Sequence, residues 1–149
     1  VDIANIKRRE RYAKVYLLRD GDEIETIILP IRGYGLWSTM YGFIALEADG
    51  NTVSGLSFYE HGETPGLGDK IEDPRWLGLW PGKKVYGADG EPQLEVIRGR
   101  AAADDPHSID GMAGATLTGR GVTNMLAFWL GGQGYGPYLR GLEQTGSDS

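Results

Sequence analysis

The chain has 149 residues, a formal net charge of −6 at pH 7 and no cysteine. Its length favours a single domain with one core, and its 40% hydrophobic content with four tryptophans excludes a disordered chain. The lack of cysteine excludes disulfides, thiolate catalysis and Cys-ligated metal, so a redox role requires a bound cofactor. Basic residues are scattered apart from the KRRER segment at residues 7–11, which argues against a nucleic-acid partner.

Strand-like runs come in pairs along the first two thirds of the chain. Residues 13–31 contain two runs around an Asp-Gly turn, and residues 40–48 and 52–60 repeat the arrangement around Asp-Gly-Asn. A third pair is predicted for residues 84–86 and 93–98. These hairpins predict an α+β fold, in which an antiparallel sheet is flanked by a few helices.

Helices are predicted at three places. Residues 3–13 and residues 74–80 contain short helical patterns. The strongest pattern follows Thr118, where apolar residues recur at helical spacing and predict a buried stripe. That stripe consists of Val122, Met125, Leu126, Trp129 and Leu130. Thr118 suits the N-cap of this helix, and Gly131 with Gly132 suits its end.

The loop before this helix has little side-chain bulk. A helix N-terminus presents unpaired N–H groups and the positive end of the helix dipole, which together favour a phosphate. Gly114 and Ala115 allow close approach, and the hydroxyls of Thr116 and Thr118 can hydrogen-bond to an anion or bond to it covalently. The alternative on spacing alone is a capped loop, in which Thr118 satisfies backbone N–H groups.

A family resemblance bears on this choice. The residues DGMAGAT, 110–116, resemble the flavin-attachment motif of the FMN-binding domain family, in which Asp-Gly, any residue and Ser or Thr precede Gly-Ala-Thr. The segments GYGLWSTMYGFIAL, EHGETPGLGDKI and GYGPYL resemble, in the same order, the C subunits of bacterial Na⁺-translocating NADH:quinone oxidoreductases. The resemblance implies FMN bound covalently to Thr116 through a phosphoester, with the flavin rather than a catalytic side chain performing the redox chemistry. The neighbouring cofactor-binding positions are Asp110, Gly114, Ala115, Leu117 and Thr118.

The same resemblance implies contacts to the isoalloxazine ring from the loop at residues 61–68. Glu63, Thr64 and the backbone around Leu67 and Gly68 are expected at the edge of the ring. Polar groups near the ring nitrogens bias its redox states. The alternative is a turn in which Glu63 and Thr64 act as local caps.

Aromatic and histidine side chains allow further interpretations. Tyr34 and Trp37 either stack on the flavin or belong to the core. His61, beside Glu60 and Glu63, suggests a metal or hydrolase site, but three candidate ligands within four residues do not make a metal geometry. The G-x-S-x-G elbow of a Ser hydrolase is also absent from the sequence. We therefore expect no metal.

The resemblance also implies a location and partners. Such domains lie on the periplasmic side of the bacterial inner membrane, follow one membrane helix and work with the other subunits of the redox complex after modification by a flavin transferase. We expect residues 1–149 to form one periplasmic FMN-binding domain. Residues 1–13 would then follow a membrane anchor, and residues 144–149 would be a frayed tail.

Two alternatives stay open. A related electron-transport complex that couples ferredoxin and NAD contains a homologous flavin subunit with the same motif. A non-redox periplasmic interaction module would result if Ala113, which stands where the motif has Ser or Thr, prevented modification. The second alternative predicts a colourless protein even in the presence of the transferase.

Overall fold

The computed structural model describes residues 15–35, 38–62, 68–112, 116–132 and 134–139. Its main sheet is an antiparallel meander of four strands in chain order, namely β1 (Tyr16–Asp20), β2 (Glu23–Tyr34), β3 (Thr39–Glu47) and β4 (Val53–Glu60). The pair Asp20↔Glu23 closes the first hairpin, and β3 and β4 flank the predicted Asp-Gly-Asn turn. The first two predicted hairpins are therefore confirmed.

One face of this sheet is buried. Successive side chains of a strand point to opposite faces, so the alternating apolar residues of β2, β3 and β4 share one side. They are Ile27, Leu29, Ile31, Met40, Ile44, Leu46, Val53, Leu56 and Phe58. The helix α2, Thr116–Leu130, packs on this side, and every residue of its predicted apolar stripe is buried. The helix and the sheet thus form the core together.

Helix α2 lies very close to the end of β2. A Cβ added at Gly121 would collide with the carbonyl oxygen of Tyr34, and a Cβ added at Gly33 would lie 2.6 Å from Cβ of Met125. Trp129 fixes the same contact, because its Nε1 donates to the carbonyl oxygen of Arg32 over 2.7 Å. Two glycines and one indole therefore position the helix on the strand.

The predicted N-cap of this helix is wrong. Helix α2 begins at Thr116, so Thr118 is its third residue and is only 2% exposed. Thr118 lies one turn before the buried Val122, which places both residues on the packed side of the helix. The end of the helix at Leu130, directly before Gly131 and Gly132, is as predicted.

The third predicted hairpin is confirmed only at its turn, because residues 84–86 and 93–98 form no continuous ladder. The N–H groups of residues 84–86 donate instead to Asn51 and to Pro106. In this part of the described chain, the predicted pairing consists of the bridge Tyr86↔Pro92 and of the hydrogen bond that the Gln93 N–H donates to the carbonyl oxygen of Val85 over 2.7 Å. Proline has no N–H group to extend such a ladder.

Short elements lead from the sheet to helix α2. A 3-10 helix, Gly68–Glu72, and the short helix α1, Pro74–Leu77, confirm the predicted turns near residue 74. Strands β5, Glu95–Val96, and β6, Ser108–Ile109, form a two-stranded parallel sheet. The helix predicted over residues 3–13 lies outside the described residues. Nowhere in the described ranges is a helix both long and apolar enough to cross a bilayer.

Candidate functional site

A cavity of about 720 Å³ opens beside the N-terminal half of α2. Its walls are residues 95–100, residues 110–112 and five residues of the helix, namely Thr116, Gly119, Arg120, Thr123 and Asn124. Thr116, the first residue of the helix, is exposed. The volume lies in the range of roughly 300–1,000 Å³ that is typical of small-molecule sites. Thr116 therefore presents a hydroxyl group at a cavity large enough for a cofactor.

Asp110 organises one wall of this cavity. Its Oδ1 accepts a hydrogen bond from the backbone N–H of Ala101 over 2.9 Å, and its carbonyl oxygen accepts one from Nε1 of Trp76, also over 2.9 Å. Trp76 is 6% exposed and packs edge-to-face on Trp80, with 5.5 Å between the ring centroids. Asp110 thus connects the loop at residues 98–101 to the aromatic core around α1.

Gly111 brings two backbone segments into contact in the same wall. Its N–H donates to the carbonyl oxygen of Gly99 over 2.8 Å, and an added Cβ would collide with the carbonyl oxygen of Ile97. Ile97 in turn donates to the carbonyl oxygen of Ile109 over 3.0 Å, which continues the pairing of β5 with β6. The Asp-Gly pair of the sequence motif therefore holds the wall next to Thr116.

Thr123 connects β5 directly to helix α2. Its Oγ1 accepts a hydrogen bond from the backbone N–H of Val96 over 2.9 Å and donates to the carbonyl oxygen of Gly119 over 3.2 Å. The hydroxyl therefore satisfies a strand donor that the two-residue parallel sheet leaves unpaired at this edge. We call this contact the Thr123 latch.

Asp105 holds the backbone at the start of β6. Its Oδ1 accepts hydrogen bonds from the N–H groups of His107, over 2.9 Å, and Ser108, over 3.0 Å. These bonds stabilise the charged carboxylate and lower the pKa of Asp105 below its ordinary value of 3.8, with a smaller contribution from the charge of Lys83. An ionised Asp105 thus fixes the start of the strand that leads to Asp110.

Three arginines line the cavity, and the sequence interpretation missed them. Arg98, Arg100 and Arg120 are all exposed, and we call them the arginine rim. Arg98 and Arg100 flank Gly99, which has φ +74°, in the bend after β5. The sequence Arg98-Gly99-Arg100 is the only signal that could have indicated a basic bend. Arg120 lies near these residues only because the fold brings the helix and the bend together.

The predicted cofactor-binding residues fall into three groups. Thr116 and Asp110 line the cavity. The buried Thr118 and Tyr34, which is 39% exposed at the end of β2, are not among its lining residues. This exposure rules out the core interpretation of Tyr34. Gly68 begins the 3-10 helix. Outside the described residues lie Trp37, Glu63, Thr64, Leu67, Gly114, Ala115 and the side chain of Leu117.

The two histidines serve separate local contacts. Nε2 of His61 lies 3.3 Å from Oε2 of Glu72, with side-chain exposures of 8% and 54%. Nδ1 of His107 lies 2.8 Å from the carbonyl oxygen of Lys84. Among the described residues, no three His, Asp or Glu side chains converge on a point that would hold a metal ion.

Comparison with known proteins identifies the class of ligand. The profile of the FMN-binding domain matches residues 35–131, a span that includes the cavity and Thr116. The chain belongs to the FMN-binding domain family. This membership confirms the predicted cofactor class and the resemblance on which that prediction was based.

Two curated relatives of this FMN-binding domain have the same name. The chain is 53% identical over 146 residues to the C subunit of the Na(+)-translocating NADH-quinone reductase of Pseudomonas aeruginosa, covering 96% of this chain and 56% of the relative. It is 52% identical over 140 residues to the protein of the same name from Yersinia pestis, covering 93% and 53%. The chain therefore spans little more than half the length of these curated relatives.

Solved structures confirm the predicted fold class. The domain superposes on the crystal structure of Shewanella oneidensis NqrC with a TM-score of 0.92 and 41% identity, covering 97% of this chain and 67% of that one. The crystal structure of the C subunit of the Na(+)-translocating NADH-quinone reductase from Parabacteroides distasonis gives a TM-score of 0.72 and 32% identity, covering 84% and 61%. The antiparallel sheet with few helices is thus the fold of these proteins.

The residues around the cavity fit FMN. An exposed hydroxyl at Thr116 is a suitable ester oxygen, and the cavity volume of about 720 Å³ suits a ligand of this size. The arginines at its edge match the negative charge of a phosphate. The chemistry of the lining residues and the cavity volume therefore agree with a flavin nucleotide.

Proposed function

We propose that this chain is the flavin-carrying electron relay of a Na⁺-translocating NADH:quinone oxidoreductase, with FMN esterified through its phosphate to Oγ of Thr116. The observation that carries the proposal is the position of Thr116, exposed at the start of α2 and in the wall of the cavity. The names of the relatives from Pseudomonas aeruginosa and Yersinia pestis support the choice of complex.

The protein's part in this function is to hold and orient the cofactor. Bound FMN supplies the redox chemistry, and the chain need not provide an acid or a base for it. Thr116 fixes one end of the ligand, while Asp110 and Gly111 hold the adjacent wall. The unpaired N–H groups of the first helical turn add favourable dipoles for the phosphate.

Attachment is a phosphoryl transfer to a threonine hydroxyl. A bond forms between Oγ of Thr116 and phosphorus, the hydroxyl proton passes to a base of the flavin transferase, and a phosphoanhydride bond of the donor breaks. The donor is a flavin dinucleotide and the leaving group a nucleoside monophosphate, because the phosphate of free FMN carries no activated leaving group. The ester then keeps the flavin at a very high local concentration.

The proposal includes a location. In the full-length protein, the domain lies on the periplasmic side of the bacterial inner membrane, follows a membrane anchor and exchanges electrons with the other subunits. A covalent bond has a physical advantage there, since a flavin that dissociates outside the cytoplasm is lost. Residues 1–149 form one domain in this proposal.

The test is the intact mass and visible spectrum of the chain, exported and coexpressed with a flavin transferase. We expect one FMN adduct on the unmutated chain and on Thr116→Ser, which retains a hydroxyl, and none on Thr116→Ala. Thr26→Ala, a change on strand β2 away from the cavity, serves as the matched control and should be fully modified. An unmodified parent chain would contradict the proposal and favour the interaction module.

A further inference from the structure

The charge of the cavity differs from that of the whole chain. Three arginines and two carboxylates, Glu95 and Asp110, line it, so its walls are net positive although the chain carries −6. The carboxylate of Asp110 accepts a hydrogen bond from the Ala101 N–H. Among the described residues, no arginine of the rim forms an ion pair or a side-chain hydrogen bond. Three guanidinium groups around one cavity are therefore available to an anion.

The rim is held next to Thr116 by the surrounding backbone. Arg120 follows Thr116 by four residues on α2, so the two side chains lie on the same helix face, and both line the cavity. The bend that carries Arg98 and Arg100 is fixed by the hydrogen bonds of Gly111 and Asp110 and by the Thr123 latch. The bend is thus held by contacts within the protein itself.

We propose that the arginine rim binds the phosphate group of a flavin nucleotide before the ester to Thr116 forms. The inference rests on the proposed function for the identity of the ligand. Guanidinium groups bind phosphate oxygens through paired charge-assisted hydrogen bonds, which a neutral part of the ligand cannot make. The rim would therefore bring the phosphorus atom to Oγ of Thr116 and hold it there.

The experiment compares ligands with and without phosphate. Binding of FMN and of riboflavin to the unflavinylated 149-residue chain is measured by flavin fluorescence, with inorganic phosphate as competitor. We expect FMN to bind about tenfold more tightly than riboflavin, because charge-assisted hydrogen bonds are the stronger class. Inorganic phosphate and added salt should weaken the binding of FMN and leave that of riboflavin unchanged.

Variants assign the preference to the rim. Arg120→Gln, and the double change Arg98→Gln with Arg100→Gln, should each reduce the preference for FMN while riboflavin binds as before. Arg120→Lys, which keeps the charge but not the paired geometry, should be intermediate. Arg75→Gln, an exposed arginine outside the cavity walls, is the matched control and should keep the full preference. Equal binding of FMN and riboflavin by the parent chain, or a full preference in Arg120→Gln, would overturn the inference.

Thr116→Ala separates this inference from the proposed function. That variant cannot form the ester, yet it should retain the noncovalent preference for FMN. If the parent chain acquires the ester and Arg120→Gln keeps the full preference for FMN over riboflavin, phosphate binding by the arginine rim is refuted. The proposed covalent relay is then unaffected. If the preference for FMN depends on the arginine rim but the chain is never modified at Thr116, phosphate binding by the rim is supported. The proposed covalent relay is then refuted.

Discussion

The two ends of helix α2 are used for different purposes. Thr116 and Arg120 in the first half are exposed and line the cavity, whereas Leu126 and Trp129 in the second half are 1% and 4% exposed in the core. One continuous helix therefore carries the candidate flavin site at one end and is anchored to the sheet at the other. The anchoring contact of Trp129 lies several turns from Thr116 along this helix, so the two ends can be altered separately.

The largest expected effect comes from removing the anchor. Trp129→Ala should lower the free energy of unfolding by roughly 3–5 kcal/mol, as for other large buried side chains. The indole also stacks on Tyr135, with 5.3 Å between centroids, and donates to Arg32. Chemical denaturation measures the effect, and Trp129→Phe, which removes chiefly the hydrogen bond, should lose less. An unchanged free energy of unfolding in Trp129→Ala would contradict the claim that Trp129 anchors helix α2 to the sheet.

A smaller effect is expected where helix and strand touch. Gly121→Ala should destabilise the fold by about 1–3 kcal/mol, because the new Cβ collides with the carbonyl oxygen of Tyr34 and pushes α2 off β2. Gly55→Ala on β4 is the matched control, since an added Cβ there meets nothing within 4 Å. Thermal unfolding distinguishes the two. Equal melting temperatures for both variants would show that the close approach of α2 is not needed.

The Thr123 latch lies between the two ends of helix α2, so its loss should affect both the stability of the fold and the attachment of flavin. Thr123→Val keeps the shape but leaves the Val96 N–H unpaired, which should cost about 1 kcal/mol and speed hydrogen exchange at that amide. Flavin attachment should slow as well, because the bend with Arg98 and Arg100 loses a support. Thr26→Val on the sheet is the control and should change neither quantity. Unaltered exchange at Val96 would argue against the latch.

The smallest effect is a loss of stability in acid. The folded pKa of Asp105 is lowered, so its contribution is fully present above the ordinary value of 3.8 and is lost as the pH falls through the lowered pKa. Unfolding followed between about pH 5 and about pH 2 should show a shallower decline in Asp105→Asn than in the parent chain. Identical pH profiles would contradict the role given to the ionised carboxylate.

The regular part of the fold was predictable from the sequence because its signals are local. Two hairpins have alternating strands around Asp-Gly turns, and Val122 to Leu130 repeat at helical spacing. The parallel pair Glu95–Val96 and Ser108–Ile109 was missed, since two-residue strands show no periodicity. The N-cap was misplaced because a buried threonine inside a helix and a capping threonine look alike in a sequence.

The candidate site was predictable only in part. Thr116 and Asp110 belong to a short contiguous motif, which made them visible by resemblance. The arginine rim combines residues 98, 100 and 120, which are distant along the chain and meet through the close packing of α2 and the latch at Thr123. Tertiary contacts of this kind leave no local pattern, so the positive charge of the cavity emerged only from the structure.

The most direct test measures flavin content and stability on the same preparations of two variants. Thr116→Val should have the stability of the parent chain, because the side chain is exposed, and should carry no covalent FMN. Trp129→Phe should be less stable and, where folded, fully modified, because the hydrogen bond to Arg32 is lost far from the attachment site. Covalent FMN on Thr116→Val, or folded Trp129→Phe without it, would contradict the separation of a flavin-bearing start of helix α2 from an anchoring end.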